Sequence, residues 1–329
     1  MKAQIKGTGF FLPARILSNH DLESMVDTNS LWIEERTGIL ERRIGDNNMA
    51  TSDLCYQAAH MALEHSGIEP QDIDLIIVAT VTPDMPFPST ACIIQERLKA
   101  VNASAFDLEA GCTGFIYALS VAEKILLASN MKNVLVIGAE MLSRITDYED
   151  RSTCILFGDG AGAVILGKGE SNYGILSSML GADGSGADLL YMPAGGSKLP
   201  SSRETVENRQ HYIKMNGNEV FRFATSTIPK VCNELLASAD LTYKDIDLFV
   251  PHQANLRIIK TAMKHMKLSP DCVLTNMDRF GNMSSASIPV ALSLAEQEGR
   301  IKPGDLILTV GFGAGLTYGG AIIRWGSDN

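Results

Sequence analysis

The sequence predicts an α/β protein made of two copies of one unit, and three observations lead there. Runs of strand length at 75–80, 105–108, 134–138 and 162–166 are largely apolar, the pattern of strands covered on both faces. Stretches with helical spacing, residues 52–66 and 113–128, separate them. The order of elements in the first half then recurs in the second.

Taken along the chain, the helix of 52–66 leads into Gln71-Asp-Ile-Asp-Leu-Ile-Ile-Val, and a helix in the second half leads into Lys244-Asp-Ile-Asp-Leu-Phe-Val. The strand in Lys132-Asn-Val-Leu-Val-Ile-Gly is echoed by Gly304-Asp-Leu-Ile-Leu-Thr-Val-Gly. The strand that starts at Gly158-Asp-Gly-Ala-Gly is echoed by Gly319-Gly-Ala-Ile-Ile-Arg-Trp-Gly. Chance likeness of apolar strands accounts for any one match. A shared order across both halves points to duplication, and repeats this long and this few do not make a solenoid. The join falls near Asn172, which gives an N-terminal half of residues 1–172 and a C-terminal half of residues 173–329. Residues 181–211, rich in Gly, Ser, Pro and Asp, read as a long excursion of the kind that borders sites.

Composition sets the bounds on function. A chain of 329 residues with 45% hydrophobic and 20% charged residues matches an ordinary globular enzyme. The start, Met1-Lys-Ala-Gln-Ile-Lys-Gly, has no apolar stretch behind a basic segment, and nowhere do about 18 apolar residues run without a charge, so a cytoplasmic protein with no membrane span is expected. A net charge of −10 opposes binding to nucleic acid and to anionic membranes. The six cysteines are scattered with no C-x-x-C pair, which argues against a disulfide framework and a zinc knuckle.

The chemistry centres on Cys112. The segment 103–117 runs from an apolar strand through small residues into a helix, which puts the Cys112 sulfur at a helix N-terminus. A helix dipole is worth up to about 2 kcal/mol to a thiolate, enough to ionise roughly half the thiol and no more. A lone cysteine is more often a small core residue; the glycines at 111 and 114 favour the functional reading. Candidate partners lie in the second half. His252 follows a strand in Val250-Pro-His-Gln-Ala-Asn and opens a helix, and Asn282 sits in the small-residue loop Arg279-Phe-Gly-Asn-Met-Ser-Ser-Ala-Ser. Imidazole and carboxamide can both donate hydrogen bonds to a thioester oxygen that is becoming an enolate. A satisfied core histidine is the plain alternative.

The run Leu308-Thr-Val-Gly-Phe-Gly-Ala-Gly-Leu follows a strand, but its glycines at 311, 313 and 315 miss the dinucleotide-loop spacing. It reads instead as a turn that offers amides to an oxyanion, so no nicotinamide cofactor is expected. The helix after His252 lines up Arg257, Lys260, Lys264 and Lys267 on one face and Ile258, Ala262 and Met266 on another. In an acidic protein that stripe is either a solvated face or a dock for an acidic carrier.

In this order, Gly111-Cys-Thr-Gly-Phe, His252-Gln-Ala-Asn, Phe280-Gly-Asn and Gly311-Phe-Gly-Ala-Gly resemble the 3-oxoacyl-(acyl-carrier-protein) synthase III family over essentially the whole chain. The resemblance implies a thiolase fold, two pseudo-repeated halves forming an αβαβα sandwich, normally as a homodimer. It implies a ping-pong reaction: Cys112 takes the acyl group of an acyl-CoA, and malonyl-acyl-carrier-protein then enters, loses carbon dioxide and attacks the acyl-enzyme. His252 and Asn282 would hold the malonyl thioester oxygen. The Cys112 amide and the turn at Gly313 and Ala314 would form the oxyanion hole.

By the same resemblance, Thr28, Trp32, Arg36 and Arg151 would hold the CoA nucleotide, with Asn218, Phe221 and Ala254 along the pantetheine tunnel. Phe87, Leu142 and Phe157 would shape the acyl pocket, Phe87 reaching in from the other subunit. Arg222, Arg257 and Lys264 would dock the carrier. No metal or organic cofactor is implied, the CoA thioester being a substrate. The chain departs from the family pattern at Glu109, Gly111 and Met283. Two other readings keep the cysteine: a relative such as a hydroxymethylglutaryl-CoA synthase or a secondary-metabolite ketosynthase with a different second substrate, and an inactive acyl-CoA-binding module.

Overall fold

The structure is a computed structural model that describes residues 1–328. Strands β1 (Lys2–Phe11), β2 (Leu75–Ala79), β3 (Ser104–Leu108), β4 (Asn133–Met141) and β5 (Asp159–Gly169) form one sheet in the order β1-β5-β4-β2-β3. Strands β6 (Gly174–Ala182), β7 (Leu248–Pro251), β8 (Leu306–Gly313) and β9 (Thr317–Arg324) form another in the order β7-β8-β9-β6. In the first sheet β5 runs antiparallel to both β1 and β4, while β2 runs parallel to both β4 and β3. The second sheet repeats the pattern: β9 is antiparallel to β6 and β8, and β7 is parallel to β8. The strands matched in the sequence, β2 with β7, β4 with β8 and β5 with β9, occupy equivalent places. Where β3 would recur there is only a single parallel bridge between Phe249 and Val273.

Seven helices of eight or more residues cover these sheets among the described residues: α1 (Ser30–Thr37), α2 (Thr51–Ser66), α3 (Thr90–Leu98), α4 (Gly114–Ala128), α5 (Gly217–Ser238), α6 (Leu256–Met266) and α7 (Ser287–Gln297). The side-chain alternation of the strands sorts them into layers. Leu75, Ile77 and Ala79 of β2 point inward to a core shared with Phe115 and Leu119 of α4, Ile288 and Leu292 of α7, and Leu248 and Val250 of β7. Ile76 and Val78 point outward to Leu54, Ala58 and Ala62 of α2 and Ile94 of α3. On the far side Phe249 and Leu308 meet Ile228 and Val231 of α5 and Ile258 of α6. The result is the five-layer αβαβα sandwich, with α4 and α7 buried in the middle.

The stretch Gly111–Ala128 is long and apolar enough to cross a bilayer, and two-thirds of it is buried here between the sheets, the environment such a composition fits. Strand ends differ from the sequence reading. β4 runs on to Met141 and β5 starts at Asp159, because small residues such as Gly138, Ala139, Gly160 and Ala161 extend the ladder without adding an apolar signal. The glycine run near the C-terminus is likewise the end of β8 and not a loop after it, the turn proper being residues 314–316.

Residues 181–211 form the expected excursion, starting from the last residues of β6 and holding a 3-10 turn at Gly184–Gly186, the short strand Leu190–Tyr191 and one short α-helix, Arg203–Glu207. Arg209 ties it to the body through ion pairs with Asp147 and Glu149, and Lys214 lies 3.6 Å from Asp147. The hydrogen bond from Arg209 holds the Asp147 carboxyl below its ordinary range.

Candidate active site

The two central helices start at the same place. A short 3-10 turn, Gly111–Thr113, leads into α4, and its counterpart Ser284–Ala286 leads into α7. The two turns touch: a Cβ on Gly114 would stand 3.3 Å from the Cβ of Ser285. At none of these four starts does the N-cap residue supply a side-chain bond; the first amides of the two 3-10 turns, Gly111 and Ser284, are met instead by Glu109 and Asn282 from upstream. Cys112 therefore lies where the amide-bearing ends of both helices converge, as the sequence placed it for α4 alone.

The rest of the site packs onto the Cys112 backbone. A Cβ at Gly313, the last residue of β8, would lie 2.7 Å from both N and Cβ of Cys112. Gly111 has φ +54°, and a Cβ there would meet Ala314 N at 3.0 Å. Both features favour glycine at 111, one of the departures from the family pattern. Another, Glu109, turns its Oε1 onto the Gly111 amide at 3.0 Å. The third, Met283, is wholly buried.

His252 follows β7, where its amide donates to Val310 O of β8. The ring stacks edge-on against Phe312, with centroids 5.3 Å apart. It is buried, and neither ring nitrogen has a hydrogen-bond partner among the described residues. Burial lowers its pKa to about 3, so the ring is a neutral imidazole at any ordinary pH. Asn282 is bridged to Phe157, its Oδ1 accepting from the Ser284 amide at 2.8 Å. That bond fixes the carboxamide and leaves its NH2 to serve as donor.

The thiol itself corrects the sequence expectation. Burial pushes Cys112 up to about 12; the Ser284 hydroxyl pulls the other way, and the Glu140 and Glu109 carboxylates add to the rise. The dipole argument had assumed an accessible sulfur, and Cys112 is only 8% exposed.

Two cavities meet at Cys112. One of about 310 Å³ is lined by Cys112, His252, Asn282, Gly313 and Phe312, and runs outward past Phe157, Asn218, Phe221 and Ala254 to Trp32 and Arg36. Arg36 and Arg151 both stack on Trp32, at 5.7 Å and 5.0 Å. Thr28 does not line this cavity; its hydroxyl is buried without a partner. The other cavity, about 470 Å³, is bounded by Cys112, Leu142, Phe157, Ala314, Ile145 and Ile213, with Leu190, Tyr191 and Met192 of the excursion closing one side. Phe87 lines neither cavity and is 84% exposed.

Arg257 stands over the Phe221 ring at 5.6 Å, and Lys264 is exposed two turns further along α6. Arg222 on α5 pairs with Glu219. Lys267 falls outside the helix as its C-cap, in left-handed conformation, so the helical stripe is Arg257, Lys260 and Lys264. Two residues beside the thiol escaped the sequence reading. Ser284 was seen only as part of a small-residue loop, and Glu140 follows an apolar run that ends, by composition, at Gly138.

Residues 106–184 match the family described as 3-Oxoacyl-[acyl-carrier-protein (ACP)] synthase III, and residues 236–325 match the C-terminal part of the same family. A beta-ketoacyl-[acyl-carrier-protein] synthase III from Syntrophomonas wolfei is 64% identical over 100% of this chain and 99% of its own length. One of the same name from Caldanaerobacter subterraneus is 56% identical over 98% of each chain. Among solved structures, 3-oxoacyl-[acyl-carrier-protein] synthase III from Aquifex aeolicus superposes with a TM-score of 0.91 at 44% identity, covering 98% of this chain and 100% of that one.

Proposed function

The chain belongs to the 3-oxoacyl-[acyl-carrier-protein] synthase III family, and from that premise we propose how its residues divide the reaction. The reaction is the decarboxylative condensation of an acyl-CoA primer with malonyl-acyl-carrier-protein, which starts type II fatty acid synthesis. The observation that carries the division of labour is the convergence of Cys112, His252, Asn282 and Gly313 on one cavity that opens outward at Trp32 and Arg36.

In the first half-reaction the Cys112 sulfur attacks the acyl carbonyl, the bond to CoA sulfur breaks, and CoA leaves with the thiol proton. The oxyanion of this step sits against the Cys112 amide and an amide of the turn at Gly313 and Ala314, which pack on each other. In the second, malonyl-carrier loses carbon dioxide, and the electron pair left behind becomes an enolate. Neutral His252 and the Asn282 NH2 donate hydrogen bonds to its oxygen. The enolate carbon then attacks the acyl-Cys112 thioester and the sulfur departs.

Trp32, Arg36 and Arg151 would hold the nucleotide of CoA, with Thr28 beside them, and Asn218, Phe221 and Ala254 would line the arm that leads to the thiol. Leu142 and Phe157 would bound the acyl group, and Arg222, Arg257 and Lys264 would meet the acidic carrier. The exposed Phe87 would complete the acyl pocket of a second copy in a homodimer. The proposal needs no metal or organic cofactor and puts the enzyme in the cytoplasm, away from nucleic acid and membranes; the −10 net charge supports that part.

Labelled acyl transfer and carbon dioxide release, measured in parallel, test the roles. Cys112→Ala should take no acyl label and give no condensed product while still decarboxylating malonyl-carrier. His252→Ala and Asn282→Ala should still take the label, with decarboxylation lowered by about 10²- to 10³-fold. Condensation by Cys112→Ala, or decarboxylation at the parent rate by His252→Ala, would refute the assignment.

A further inference from the structure

Glu140, in β4, is a completely buried carboxyl that the reaction above does not use. Its Oε2 lies 2.7 Å from Thr82 Oγ1 and 3.3 Å from Thr80 Oγ1, its Oε1 lies 2.9 Å from Ser285 Oγ, and the Val81 amide donates to Oε2 at 3.2 Å. No cation pairs with it among the described residues. Ser285 belongs to the 3-10 turn that faces Cys112, and the neighbouring Ser284 hydroxyl lies near both the Cys112 thiol and the Glu140 carboxyl. Ser284 is held at φ +45°, a left-handed conformation that a residue with a side chain adopts only when its surroundings impose it.

Counting protons around Ser285 shows which form of Glu140 fits. The Ser285 hydroxyl has one proton and two close oxygens, Ala79 O at 2.8 Å and Glu140 Oε1 at 2.9 Å. A backbone carbonyl can only accept. If Ser285 donates to Ala79, the contact with Glu140 is a hydrogen bond only when the carboxyl supplies the proton. With an ionised carboxylate one of the two contacts goes unmade, inside a fully buried network where an unmade bond is costly. The neutral acid satisfies both contacts of Ser285.

We propose that Glu140 is a positioning residue for the condensing reaction: as the neutral acid it closes the network that seats the Ser284–Ser285 turn under Cys112, and when ionised it puts a negative charge behind the thiol and slows thiolate formation. The inference rests on Cys112 being the nucleophile. The other titratable groups facing this spot are Glu109 beside Gly111, neutral His252, and Cys55 of α2, whose thiol is itself kept protonated by burial. Burial lifts the Glu140 carboxyl to about 7, so the change of form falls near neutral pH. Below that pH the charge is absent, and above it the charge opposes the thiolate.

The test follows alkylation of the Cys112 peptide by iodoacetamide against pH, in the wild-type enzyme and in Glu140→Gln, whose amide is neutral and can donate as the acid does. The two should react alike below pH 7. Above it the variant should react roughly tenfold faster, the factor carried by one pKa unit. Infrared difference spectra should show a neutral-carboxyl band in the wild type that disappears over the same pH interval and is missing from the variant. Superimposed alkylation profiles, or no such band, would overturn the proposal. If Glu140→Gln does not accumulate, the wild type still decides, because the band must vanish in the interval where its alkylation curve flattens. Loss of all acyl labelling in Cys112→Ser checks the nucleophile separately.

Discussion

At Gly313 packing leaves no room for a side chain, and on the proposed mechanism the chemistry needs the same space. A methyl group there would stand 2.7 Å from the nitrogen and the Cβ of Cys112, so either the nucleophile or the turn would have to move. Displacement of that order costs about 10²-fold when it falls on a reacting pair. Gly313→Ala should therefore lower the rate of Cys112 acylation by about that factor while thermal unfolding stays cooperative. Acylation at the parent rate in single-turnover labelling would mean that the turn takes no part in the oxyanion site. His252 shows the same economy. Its burial removes the proton that an exposed imidazole takes up near pH 6.5, so the ring stays neutral around neutral pH, as the proposed donor role requires.

Among the elements, α6 carries two faces with separate tasks. Ile258, Ala262 and Met266 are buried against the second sheet's outer core, while Arg257, Lys260 and Lys264 face outward, Arg257 lying over Phe221 of the catalytic cavity's wall. Charge reversal at Arg257 or Lys264 should raise the KM for malonyl-carrier by about fivefold, or roughly 1 kcal/mol, and flatten its salt dependence. Acyl transfer from CoA should barely change, and equal losses in both half-reactions would remove the stripe from the carrier's path. The buried face, the strands and the duplication were legible in the sequence because each is a periodic pattern of apolar residues. Glu140 and Ser284 were not, because what makes them matter is burial beside Cys112, across sequence gaps that no local pattern spans. The thiol's raised pKa was hidden for the same reason: sequence shows the helix start, while the loss of water depends on the second half closing over it.

Considered as a whole, the proposed function has the acyl cavity of one chain completed by Phe87 of another. Phe87 and its neighbour Met85 are exposed on the single chain, as is Phe106 on the edge strand β3. A mixed population of Cys112→Ala and Phe87→Ala chains tests whether the cavity is shared. Neither pure form should prime efficiently, but a mixed dimer pairs an intact thiol with an intact Phe87 from its neighbour and should regain one working site, about half the activity of a dimer with both sites intact. Failure to complement would mean that each chain closes its own pocket. The meeting of the two central helices carries a further meaning. A capping side chain is commonly worth about 1 kcal/mol to a helix, and neither N-cap residue, Thr113 of α4 nor Ala286 of α7, supplies one. On the proposed mechanism the oxyanion at the Cys112 amide would bring from the substrate what those side chains do not, and most strongly at full negative charge. The fold would then be completed by the transition state it serves.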